Sequence, residues 1–345
     1  MTAGSAPVGP HFRVQRATAT SRATIVLGMA LLVSLATLPA WGESSTMRLL
    51  IQFFALLAMA QMWNLLAGYG ALVSIGQQAF VGIGAYGLFI FTDLAGLPVV
   101  VAIACLAGAT VVIAAVTSLF AFRLRGGYFA VGTWVIAEVF RIIVSNVQQL
   151  GAGTGVTVQS LVRMPAPDRL ALTYWLALGV GFGSIVLVTV VMRSRLGLAL
   201  AAIRDSEVAA SGLGVNVQLT KRIVYVIASV GCAIAGAVVY VQLLRIQPNA
   251  AFSVDWTVKM IFIVVIGGLG RIEGPIVGAI IFTFMRETLA DCCPAFPSAY
   301  LIALGVFMIV IVVLAPRGLW GLLTSRWSIA LFGIRRRLVS REQRS

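Results

Sequence analysis

Charge is scarce in this chain. Only 10% of its 345 residues are Asp, Glu, Lys or Arg, against about 25% in an ordinary soluble domain. Histidine is nearly absent: His11, the single one, stands in a polar N-terminus, so no Ser–His dyad or haem ligation can form in the apolar body. There are four cysteines, Cys105 and Cys232 in apolar runs and the vicinal pair Cys292-Cys293, with no CxxC. A structural zinc site takes about four N or S ligands at suitable spacing, so no metal site and no catalytic residue is assigned. There is no G-x-x-x-x-G-K-[ST], so the chain carries no P-loop of its own. The missing H-E-x-x-H, Asp-rich and G-x-S-x-G motifs remove metalloprotease, membrane prenyltransferase and hydrolase readings.

What remains is apolar: 60% of residues are hydrophobic and the mean hydropathy is +1.01. About 20 apolar residues span a bilayer, and ten segments qualify: 23–41, 48–67, 72–92, 98–121, 128–146, 171–192, 223–242, 257–273, 275–290 and 299–315. The sequence therefore predicts an all-α, polytopic integral membrane protein with about ten spans. It divides into a basic N-terminus 1–22, a transmembrane region 23–323 and a basic tail 324–345. The first segment is too long for a signal-peptide core and no convincing A-x-A site follows, so it reads as an uncleaved span. The formal charge of +14 is spread between spans: three basic residues precede residue 23, five lie in 192–222 and seven follow from Arg317. That pattern sets orientation and favours lipid headgroups over nucleic acid. It puts both termini and the 192–222 loop in the cytoplasm.

The 192–222 loop is the most charged interior stretch. It predicts a short helix, with Ser206 as N-cap, Glu207 at the positive end of the dipole and glycines closing it. A polar helix held at a membrane surface can dock on a soluble partner.

Glycines crowd two segments. Gly76, Gly82 and Gly84 fall in 72–92, and Gly267-Gly268-Leu-Gly270 interrupts 257–290. Such breaks are tolerated at membrane depth only where the backbone is buried in protein or lines a cavity. Gly274/Gly278 and Gly179/Gly183 also fit the G-x-x-x-G contact pattern. Polar groups in spans are costly and informative. Glu138 and Arg141, three apart, share a helix face and can neutralise each other. Asn64 and Gln61, with Gln77-Gln78, predict a second polar cluster. Asp255 and Lys259 read as interface anchors. Glu138 is the one carboxylate deep in a span, which disfavours an ion-coupled carrier or channel working alone.

Several blocks in series resemble one family, the membrane permease subunits of branched-chain amino acid ABC importers, LivM type. Asn64 through Gly68, Gly76-Gln77-Gln78 and Gly82-Ile-Gly84 to Tyr86 resemble its most recognisable stretch. Arg123-Leu-Arg125-Gly126 with Glu138 and Arg141 resembles the next. Arg204-Asp205-Ser206-Glu207 through Ala210 to Gly214 is similar to its cytoplasmic coupling segment. Gly267-Gly268-Leu-Gly270 and Pro316-Arg317-Gly318 resemble its final blocks. At Gln77 family members commonly carry histidine. The resemblance implies a multi-pass permease of a bacterial inner membrane, moving a branched-chain or other amino acid by alternating access. Relatives moving urea or short amides are the alternative cargo class. It implies a homologous second permease, two cytoplasmic ATPase subunits that bind the ATP, and a periplasmic substrate-binding protein. It implies that Arg204, Asp205, Glu207, Ala210 and Gly214 dock an ATPase, and that Asn64, Gln77, Glu138 and Arg141 lie near the substrate path or form buried polar contacts.

Overall fold

The computed structural model describes residues 12–15, 19–124, 126–292, 299–314, 318–326 and 337–340. His11, Arg125, Cys293, Pro316 and Arg317 lie outside the described residues, as does much of the basic N-terminus and tail.

Inside lipid no water pairs with the backbone, so apolar runs must satisfy their N–H and C=O groups within helices. Most of the described chain does this. A short strand β1 (Phe12–Gln15) leads into α1 (Ala19–Ala36) and a tight 3-10 turn. Helix α2 (Ser44–Asn64) continues as a π-helical turn to Tyr69. After an irregular stretch come α3 (Gln78–Phe89), extended by a π-turn to Leu94, then α4 (Val99–Ala121) and α5 (Gly127–Asn146). The loop that follows holds β2 (Val156–Thr157) and α6 (Gln159–Val162). Helix α7 (Ala166–Arg193) leads to two short helices, α8 (Arg195–Asp205) and α9 (Glu207–Gly212), and then to α10 (Val217–Leu243). Strand β3 (Arg245–Ile246) pairs with β2, and α11 (Pro248–Ala251) precedes α12 (Val254–Gly267). The described chain closes with α13 (Glu273–Cys292), α14 (Ala299–Leu314), α15 (Gly318–Arg326) and β4 (Arg337–Ser340). β4 runs antiparallel to β1, with Phe12 opposite Ser340, so these two terminal segments share one side.

Six of these helices are long and apolar enough to cross a membrane: Ser44–Tyr69, Val99–Ala121, Gly127–Asn146, Ala166–Arg193, Val217–Leu243 and Pro248–Gly267. Two shorter apolar stretches, Val26–Ala40 and Gln78–Leu94, coincide with the expected segments 23–41 and 72–92. Burial is uneven. In α2, 78% of the membrane-depth stretch is buried within the protein, against 28% in α4 and 17% in α5. Helices α2, α3, α10 and α12 therefore form the core, and α4 and α5 present Val112, Phe120, Val131 and Trp134 outward.

Glycine sets how closely the core helices approach. A β-carbon on Gly84 of α3 would collide with the Ala233 carbonyl of α10, and one on Gly278 of α13 with the Ile263 carbonyl of α12. The other expected contact pair is not used among the described residues: Gly179 and Gly183 of α7 have open space around them. The G-x-x-x-G spacing is the same in both places, and only the neighbouring helix decides whether it is a contact.

These two environments predict opposite outcomes. Gly84→Val drives the new side chain into the Ala233 backbone of α10, and overpacking of this kind costs about 1–3 kcal/mol or more; membrane abundance and thermal stability should fall. Gly179→Ala adds helix propensity at no steric cost, a gain of up to about 1 kcal/mol. Thermal unfolding of the purified variants checks both.

Candidate functional site

Two breaks in the helices, one charged pair and one surface module carry the polar chemistry of the chain.

The first break lies between α12 and α13. Gly267 ends α12, and Gly268–Ile272 is an irregular loop before Glu273 opens α13. Its backbone is bonded by side chains from α2. The Asn64 carbonyl oxygen accepts from the Gly270 N–H at 2.9 Å while its Nδ2 donates to the Arg271 carbonyl at 2.8 Å. One turn earlier, Gln61 Nε2 donates to the Ile272 carbonyl at 2.8 Å. Both amides are fully buried. Gly270 has φ +75°, which an L side chain adopts only under strain. The loop lies so close to α2 that a β-carbon on Gly68 would sit 2.5 Å from the Gly270 nitrogen.

Arg204, at the end of α8, reaches the same loop: its Nη1 lies 3.3 Å from where a β-carbon on Gly270 would be. Arg271 is itself tied to Thr324 of α15 by a hydrogen bond. Residues distant in sequence thus converge on one loop.

The second break precedes α3. Residues 71–77 are non-helical, yet Leu72, Ser74 and Gln77 are buried. The Trp63 indole donates to the Ser74 carbonyl at 2.9 Å, and Thr133 Oγ1 of α5 accepts from the Ile75 N–H at 3.2 Å. Trp63 stands six residues before Tyr69, about 9 Å back along α2. The extended chain therefore runs back beside α2 before α3 begins. A β-carbon on Gly76 would strike the Thr133 backbone, and one on Gly82 the Phe252 ring. Thr257 of α12 accepts from the Gln78 N–H at 3.2 Å and its hydroxyl donates to the Gln78 side chain.

The expected single cluster of Asn64, Gln61, Gln77 and Gln78 is thus two. Asn64 and Gln61 serve the α12–α13 loop, and Gln78 serves α12 near its start. Gln77 is fully buried with neither amide atom hydrogen-bonded.

Glu138 and Arg141 form the expected ion pair, with Arg141 Nε 2.8 Å from Glu138 Oε1. A third partner was not legible in the sequence: Arg141 Nη1 also donates to Asn249 Oδ1 of α11 at 2.7 Å. The pair is not enclosed, because the Arg141 and Glu138 side chains keep 29% and 45% of their exposure on the sparsely covered face of α5. Asp255 and Lys259 also pair, and Lys259 lies over the Trp256 ring.

The surface module is larger than the one short helix expected. Ser194 caps α8 by accepting from the Leu196 N–H at 3.1 Å, and Ser206 caps α9, accepting from the Ala209 N–H at 3.3 Å. Asn216 then caps α10 through the Leu219 N–H at 3.0 Å. Glu207 pairs with Lys221, which closes the module onto α10. Leu200, Ile203 and Ala210 face inward and are buried, whereas Asp205 and Gly214 are exposed. Val208 and Leu213 are 85% and 81% exposed, large apolar residues on an otherwise polar segment. Charge-based reading passes over them; the signal was their position within a run otherwise polar or small.

No group of three or more His, Cys, Asp or Glu residues able to hold a metal occurs among the described residues. The long apolar helices, with their breaks packed in the core, define a multi-pass membrane protein. The sequence model of the family described as "Branched-chain amino acid transport system / permease component" matches residues 45–312, and the chain belongs to that family. It is 25% identical over 289 residues to the high-affinity branched-chain amino acid transport system permease protein LivM of Escherichia coli (strain K12), covering 74% of this chain and 65% of the relative. Its identity to the corresponding LivM of Salmonella typhimurium is 26% over 285 residues, with the same coverage. A probable branched-chain amino acid transport permease protein LivM of Methanocaldococcus jannaschii is 22% identical over 180 residues, 52% of each chain. The chain thus spans about two thirds of the length of the first two relatives. No solved structure matches it.

Removing Asn64 tests the first break. Asn64→Leu leaves one buried donor and one buried acceptor unpaired, about 1–3 kcal/mol each. Cross-helix bonds in membranes average only about 0.6 kcal/mol where the partners can find others. A loop pinned at φ +75° has few others, so a clear drop in thermal stability is expected, larger than for Gln61→Leu. For the charged pair, Glu138→Gln or Arg141→Gln alone should lower folded yield more than the double replacement, because a single change strands one charge. Comparing the three yields checks it.

Proposed function

We propose that this chain is the permease subunit of an ATP-driven importer for branched-chain amino acids. It works by alternating access together with a homologous permease, two cytoplasmic ATPase subunits and a periplasmic binding protein. The names of the relatives and the family membership support the cargo class. The observation that carries the mechanism is the path from α9 through α8 and Arg204 to the glycine loop. ATP is bound by the partner subunits, and no chemistry occurs in this one.

In this reading the 192–222 segment and both termini face the cytoplasm, and the ATPase seats on α8–α9. Val208 and Leu213 supply the apolar contact, and Arg204, Asp205, Glu207, Ala210 and Gly214 form its frame. The proposed transmission runs through Arg204, which ties α8 to Gly270 and so to the α12–α13 break. Gly267, Gly268 and Gly270 give that break its freedom to move; Gly76, Gly82 and Gly84 let α3 slide against its neighbours. On the opposite flank, α5 carries an ion pair half-exposed at membrane depth. Insertion scales put a charged residue in lipid at about 2.5–3.5 kcal/mol. That face is therefore better placed against the second permease, or on a hydrated path between the two, than against acyl chains. Gln77, with its unpaired amide, is the second polar group of the path.

Leu213→Glu and Val208→Glu place a charge on the seat without touching a cap or a packed residue. Each is expected to leave membrane abundance unchanged while lowering ATP-dependent uptake of leucine by roughly tenfold, the usual scale for an interface anchor. Uptake in vesicles and co-purification of the ATPase measure it. Normal uptake with normal co-purification in both variants would remove the seat.

A further inference from the structure

A cavity of about 370 Å³ opens at the beginning of α2, where it meets the second half of α13, lined by Ser45, Thr46, Arg48, Gln52, Arg286 and Glu287. It is remote from the glycine loop. Arg48 precedes Gly68 by twenty residues, about 30 Å of helix, which is the thickness of the hydrocarbon layer. The cavity therefore sits at the headgroup level of the leaflet opposite α8–α9.

Its chemistry is specific. Two guanidiniums from different helices converge on it, and Gln52 fixes Arg286 in place by a hydrogen bond. Neither Arg48 nor Glu287 enters an ion pair among the described residues. Guanidinium forks match phosphate oxygens in geometry and charge. A single carboxylate beside them is wrong for a bare anion but right for an ammonium group a few bonds from the phosphate. The volume falls in the range of small-molecule pockets and exceeds the needs of one ion.

We infer that this cavity binds the headgroup of an aminated phospholipid, with Arg48 and Arg286 on the phosphate and Glu287 on the ammonium. Phosphatidylethanolamine has this arrangement; phosphatidylglycerol supplies the phosphate without the cation. The site holds a lipid between α2 and α13, the two helices that flank the glycine loop at their other ends.

Native mass spectrometry of the full chain, purified in mild detergent and exposed to mixed phosphatidylethanolamine–phosphatidylglycerol micelles, reads the retained lipid directly. The wild type should retain phosphatidylethanolamine in preference to phosphatidylglycerol. Glu287→Gln should abolish the preference and keep total retention. Arg48→Gln with Arg286→Gln should lower retention of both lipids by about tenfold, the scale of one charge-assisted bond. If that double variant does not fold, Arg48→Lys with Arg286→Lys keeps the charge but loses the forks, and should still reduce retention. Millimolar inorganic phosphate should not displace the lipid. Unchanged retention in the arginine variants, or equal retention of both lipids by the wild type, would overturn the assignment; displacement by phosphate would make it a free-anion site instead.

Discussion

Backbone that leaves the helix inside a membrane must find its hydrogen bonds in the protein. Everything distinctive in this structure follows from meeting that demand twice. At the α12–α13 break, two amides of α2 supply the bonds: Asn64 takes one N–H and gives one N–H, and Gln61 gives another. Before α3, the partners come from Trp63 on α2, Thr133 on α5 and Thr257 on α12. Helix α2 serves both breaks, which explains why it is the most buried of the long spans.

Satisfying a broken helix from a neighbour also couples the two. The Gly268–Ile272 loop cannot move without breaking or carrying the Asn64 and Gln61 bonds, and Arg204 approaches it from the surface module. Close glycine contacts pack α3 on α10 and α12 on α13 with no room for a β-carbon at Gly84 or Gly278.

Much of this was legible in the sequence because lipid makes the code simple. Long apolar runs marked the membrane helices, six of which among the described residues are long enough to cross a membrane against about ten expected; glycine clusters marked both breaks, and the spacing of Glu138 and Arg141 predicted their pairing. Ser206 was readable as a cap because its hydroxyl precedes a short helix with an acidic first turn. Other features depend on what lies across the gap, which no local pattern records. Asn249 as third partner of Arg141, Thr257 as partner of Gln78, and the separation of the amides into two groups are all set by helix docking. Gly179 and Gly183 show the converse, a contact motif with no contact among the described residues. Helix α8 was missed because its apolar inner face, Leu200 and Ile203, lies within a segment read for its charge. Val208 and Leu213 carry only a weak sequence signal, apolar residues in a run otherwise polar or small, and their exposure makes it informative.

The proposed coupling has the surface module and the glycine loop respond together to nucleotide on the proposed ATPase partners. Hydrogen–deuterium exchange on the assembled transporter in lipid nanodiscs, compared without nucleotide and with trapped ATP, tests it most directly. The account predicts that peptides covering α8–α9 and Gly267–Glu273 change protection together when ATP is trapped. Protection that changes at α8–α9 while Gly267–Glu273 stays constant would contradict it.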